Sequence, residues 1–70
     1  MNITETINDY TVNEELRRVL NEYYSRKSLV YVQYSLKMLD RLTSNEIEKI
    51  AIVKQSLSNG WRGFYKVANL

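Results

Sequence analysis

The side chains of this sequence best equipped to act on a partner are cations and aromatic rings. Lys54, Arg62 and Lys66 fall within or just after the last apolar run, Arg26 and Lys27 lie between two others, and six tyrosines and Trp61 are interleaved with them. Long basic side chains hydrogen-bond phosphate oxygens. Tyrosine and tryptophan rings stack on unpaired bases or anchor protein contacts. The pattern would suit an anionic partner such as a nucleic acid, contacted through its backbone, with Tyr31 and Tyr34 as candidate partner contacts, although tyrosines in a small helical domain are more often core filler.

Each of these residues also has a structural role open to it. Arg62 and Lys66 follow the end of a helix, where free carbonyls favour a cation. Helical spacing puts Lys54 between Ile47, Ile50 and Leu57, so its stem would pack on apolar neighbours while its ammonium reaches water. Tyr31 and Tyr34, with Val30, fall off the main apolar stripe of their helix, at the edge of a core. Trp61 stands between the chain's two glycines, Gly60 and Gly63. Gly60 would reverse the chain and fold the indole over the first and last helices, beside Leu20 and Leu57. That lid is the favoured reading of Gly60-Trp61-Arg62-Gly63, and a stacking platform for an unpaired base is the alternative.

Other chemistry lacks its residues. The sequence has no histidine and no cysteine, which removes the usual general base, the commonest zinc ligand and any disulfide. No glycine-rich loop matches a phosphate-binding motif, and the carboxylates form no catalytic pair. A non-enzymatic protein is expected, with no cofactor and no small-molecule substrate. No apolar run approaches the roughly 20 residues that span a bilayer. The start, MNITETINDY, has neither the basic nor the apolar region of a secretory signal. Absence of cysteine fits a reducing cytosol.

The net charge of +2 is unevenly distributed. Residues 1–16 carry Glu5, Asp9, Glu14 and Glu15 and no base. Residues 17–70 carry all ten lysines and arginines against Glu22, Asp40, Glu46 and Glu48, a balance of +6. A basic body behind an acidic lead-in suits an anionic partner, although a solvated surface also accounts for it.

These side chains must be held by a thin core, since seventy residues bury little surface. Residues 1–12 show no clear period and are predicted to be a loose arm or a short helical turn. The remainder, 13–70, reads as one all-α domain. A first helix over 13–26 is capped by Asn13 and places Leu16, Val19, Leu20, Tyr23 and Tyr24 on one face. A second over 29–42 aligns Leu29, Val32, Leu36 and Leu39, although SLVYVQY would also suit a strand. A third over 44–58 opens on a Thr43–Glu46 capping box and is apolar over most of its circumference, which predicts the central position. The result is a small three-helix bundle with a C-terminal Gly-Trp-Arg-Gly lid.

The stretches NEELRRVLNEYYSRK, LKMLDRL and NEIEKIAIVKQSLSNGWRGFY resemble a segment of phage and prophage replication proteins of the replisome-organiser and DnaD-like type. The most specific part is the ending Gln55-Ser56-Leu57-Ser58-Asn59-Gly60-Trp61-Arg62-Gly63-Phe64-Tyr65, and the resemblance covers about residues 7–66. It implies an accessory or C-terminal module that assists DNA binding or helicase loading in the cytoplasm of a bacterial host. The implied partners are DNA and replication proteins such as a helicase or its loader. A pure protein-interaction or scaffold domain without DNA contact is the alternative. One departure is visible. In that group a longer link containing lysine and proline precedes the second helix, whereas here Arg26-Lys27-Ser28 leads straight into Leu29.

Overall fold

The computed structural model describes residues 2–58. These form four helices: α1 (Ile3–Tyr10), α2 (Glu14–Tyr24), α3 (Leu29–Leu42) and α4 (Glu46–Ser58). There is no strand among the described residues. The all-helical class expected from the sequence is therefore observed, with one more helix than the three-helix reading.

The added helix is α1, where the sequence leads to a loose arm or a short helical turn. Asn2 caps it, its side chain accepting from the Glu5 backbone N–H at 2.8 Å. The Glu5 carboxylate reaches back to accept from the Asn2 amide at 3.2 Å, a variant of the capping box. Ile3, Ile7 and Tyr10 then face inward at helical spacing, with Ile7 fully buried. Arg17 holds the other end. Its guanidinium donates to the Thr11 carbonyl and, at 2.8 Å, to the Asn8 carbonyl. A cation on the last carbonyls of a helix satisfies acceptors that have no partner within it.

Asn13 caps α2 as expected, accepting from the Leu16 N–H at 3.0 Å. The helix ends at Tyr24 rather than 26, because Lys27 N–H bonds the Tyr24 carbonyl and closes a tight turn. α3 spans the residues predicted for it. Ser28 accepts from Tyr31 N–H at its start, and Val32, Leu36 and Leu39 form its buried stripe. The β-branched opening is thus overridden by a cap and a helical period.

The start of α4 differs from expectation. Thr43 is extended and its hydroxyl accepts from Asn45 N–H, while the Asn45 side chain accepts from Ile47 N–H and Glu48 N–H. Asn45, not Thr43, is the capping side chain. Glu46 instead accepts from the Thr11 hydroxyl at 3.1 Å.

α4 is also not the central helix. The core comprises Ile7, Leu16, Val19, Leu20, Tyr23, Tyr24, Val32, Leu36, Leu39 and Val53. Half of these belong to α2, which packs on both α4 and α1. The apolar residues of α4 are spread around its circumference, so no single face of it can be inserted as a block. Ile50, Ile52 and Leu57 pack at the margin, and Ile47 stays 76% exposed. The buried small residue Ser56 bonds its hydroxyl to the Ile52 carbonyl within the same helix.

Candidate nucleic-acid interface

Tyrosines and cations occur in two settings. The first is a joint between α1, α3 and α4. The Tyr10 hydroxyl donates to Asp40 Oδ1 at 2.6 Å, and Lys49 Nζ donates to the same oxygen at 2.7 Å. The Lys49 ammonium also lies 4.7 Å from the centre of the Tyr10 ring. Burial, then the adjacent Asp40 carboxylate, raises the Tyr10 pKa well above the ordinary phenol range. Partial burial of Asp40 works to raise its pKa, but the Lys49 and Tyr10 hydrogen bonds and the Lys49 charge prevail and hold it below the usual carboxylate value. Tyr10 and Lys49 are both bonded to one oxygen of Asp40, which fastens three helices together.

The second setting is the outer face of α3. Val30, Tyr34, Lys37 and Arg41 recur at i, i+4, i+7 and i+11, a single stripe on the side opposite Val32, Leu36 and Leu39. Val30 is 76% and Tyr34 52% exposed, and both cations are exposed. The stripe contains no carboxylate. The ion pairs among the described residues are Arg18 with Glu15 and Glu22, Lys49 with Asp40, and Lys54 with Glu15. Lys37 and Arg41 therefore keep their charge for solvent or a partner. On the α1 side, a shallow depression of about 470 Å³ is lined by Thr6, Asp9, Tyr10, Gln33, Leu36, Lys37 and Asp40. Its two carboxylates give the stripe one acidic edge.

The residues selected from sequence fall in several places. Arg26 is exposed at the turn into α3 and pairs with no described carboxylate. Lys27, beside it, holds its ammonium 5.7 Å from the centre of the Tyr31 ring. Both precede α3 in the chain, just before its cap Ser28. Tyr34 belongs to the stripe, but Tyr31 does not. Its ring is half-buried and meets Tyr24 edge-on at 6.2 Å, and Tyr24 in turn donates to buried Ser35 at 2.6 Å.

Lys54 shares a side of α4 with Ile47, Ile50 and Leu57, but that side is not the buried one. It is exposed, with Nζ 3.2 Å from Glu15 Oε1. The Arg18 hydrogen bond, then that of Lys54, keeps the Glu15 carboxyl below its ordinary pKa. The lysine drawn into the bundle is Lys49, only 8% exposed, because Asp40 and the Tyr10 ring meet it there. Arg62, Lys66, Trp61 and the lid expected from Gly60-Trp61-Arg62-Gly63 lie outside the described residues.

Lys37 and Arg41 were missed in the sequence reading. Their signal was present: continuing the Val30 and Tyr34 spacing along the predicted helix leads directly to them. Among the described residues no helix is long and apolar enough to cross a membrane, and no group of three or more acidic side chains is placed to hold a metal ion. Comparison with protein-family models, curated proteins and solved structures finds no match.

Proposed function

We propose that this protein is a non-enzymatic module that contacts DNA through its phosphate backbone, in the service of a phage-type replication initiation protein in the cytoplasm of a bacterial host. The supporting observation is the outer face of α3, where Lys37 and Arg41 make no ion pair among the described residues, with exposed Arg26 and half-buried Lys27 in the turn that leads into the helix. The resemblance of the QSLSNGWRGFY ending to replisome-organiser and DnaD-like proteins supports the replication role. Arg62 and Lys66 add phosphate contacts in this reading, and Lys54 makes one only by leaving Glu15. Trp61 closes the core as a lid near half-buried Leu57 on the last turn of α4.

Titration of labelled DNA at several salt concentrations tests the contact. Four neutralised phosphates give a slope of log K against log salt of about −2.8 for a single strand and about −3.6 for a duplex. Reversing Lys37 and Arg41 to Glu should cut binding strongly and make the remaining slope shallower. Reversing Arg62 and Lys66 measures their share in the same assay. The emission of the chain's only tryptophan tests the lid: a buried indole emits to the blue and resists quenching, whereas an exposed one overturns the lid.

A second reading has its own observation. Val12 is 83% and Ile47 76% exposed, and the Thr11–Glu46 hydrogen bond brings the residues next to them together. An apolar pair of this kind suits a protein contact, such as a helicase or its loader, without DNA. Loss of partner capture in Val12→Asp with Ile47→Asp, in a chain that never binds DNA, would favour it.

A further inference from the structure

Resting on the DNA-contact reading above, we infer that the outer face of α3 is a site for single-stranded nucleic acid, in which Tyr34 stacks on an unpaired base and Lys37 and Arg41 take the flanking phosphates. Four tyrosines of the described residues are occupied by the fold. Tyr10 bonds Asp40, Tyr23 and Tyr24 pack edge to face in the core, and Tyr31 leans on Tyr24 beneath Lys27. Tyr34 differs, because half of its surface faces solvent on a helix whose opposite side supplies the core. It sits roughly one turn from Lys37 and two from Arg41, so a ring and two cations follow one another along a single line.

That order of groups fits a strand whose bases are free. Stacking on a tyrosine needs an exposed base face, and a paired base offers one only after costly unstacking. The acidic edge sets the side on which the strand runs. Asp9 lines the depression between α1 and α3 together with Lys37 and with Asp40, which is already paired with Lys49, so the side of the stripe away from Asp9, along Tyr34 and Arg41, is the more favourable path for phosphates. The cations of the stripe argue against a second copy of this chain laid stripe on stripe, which would oppose like charges.

The test is fluorescence anisotropy with the full chain at low salt, using labelled oligothymidine and a duplex of equal length. The expected result is tighter binding of the single strand. Tyr34→Phe keeps the ring and should bind like the parent. Tyr34→Ala should weaken single-strand binding roughly fivefold or more and leave duplex binding unchanged. Circular dichroism on each variant verifies the helices. Equal affinity for both forms, with no effect of Tyr34→Ala, overturns this inference and leaves backbone contact by α3 standing. Binding of neither form by a folded chain, even at low salt, overturns both.

Discussion

The α1–α3–α4 joint and the outer face of α3 are built from the same materials, tyrosine and basic side chains, and put them to opposite uses. In the joint, Tyr10 and Lys49 converge on one oxygen of Asp40. On α3, Tyr34, Lys37 and Arg41 have no carboxylate in their line. The difference lies in the third component. A carboxylate bonded to both turns a cation and a phenol into a fastening, whereas Lys37, although it lines a depression with Asp9 and Asp40, pairs with neither and stays available to an external anion. Residue type alone therefore does not locate a binding face.

The comparison is broken most forcefully at the base of the joint. Ile7→Ala removes the buried anchor of α1 and should cost about 2–5 kcal/mol in denaturant unfolding. A change below the range of an exposed substitution would mean that α1 is an appendage and the joint is incidental.

A smaller effect is expected from the joint itself. Lys49→Ala leaves the Asp40 and Tyr10 groups short of a partner and should destabilise by about 1–2 kcal/mol, since Asp40 keeps water on one side. Lys37→Ala, on the open face, should stay within about 0.5 kcal/mol of the parent. Equal costs for the two lysines would erase the distinction.

Acid sharpens the contrast further. Asp40 has a lowered pKa in the fold, so its contribution is complete above the unfolded value of about 3.9 and is lost as pH falls through that value toward the folded one. Thermal melts below about pH 4 should therefore fall more steeply for the parent than for Asp40→Asn, which has already lost the charge. Parallel acid limbs would show that Lys49 gains nothing from the carboxylate's ionisation.

The smallest effect is expected on the open face. Tyr34→Ala combined with Lys37→Glu and Arg41→Glu should change stability by no more than about 1 kcal/mol, because each side chain is exposed. A cooperative collapse of this variant would place the stripe in the fold rather than at a surface.

Much of the scaffold was legible in the sequence because it rests on local signals. Asn13 with the Leu16 to Tyr24 stripe predicted α2, and Leu29 to Leu42 predicted α3 end to end. α1 was equally local but went unread: Asn2 and Glu5 are at capping-box spacing, and Ile3, Ile7 and Tyr10 at helical spacing. What the sequence could not supply was pairing across the chain. Lys54 and Lys49 both sit among apolar neighbours in α4, and only the placement of Asp40, nine residues before Lys49, and Glu15, far earlier, decides which is drawn in. Centrality was obscured for a related reason. A helix with apolar residues all round looks central, yet α2, with one concentrated face, fits between its neighbours better than α4.

The clamp of Arg17 on the end of α1 has a consequence for the order of events in folding. An eight-residue helix is too short to persist alone in water. Its closing carbonyls wait for a side chain from α2, and Tyr10 waits for Asp40 and Lys49 from α3 and α4. The earliest of the four helices to leave the ribosome is thus the last to be secured. During synthesis its apolar side, Ile3 and Ile7, stays uncovered until the bundle behind it has formed. Amide hydrogens of α1 should accordingly exchange with solvent by detachment of that helix alone, while those of α2 wait for global opening.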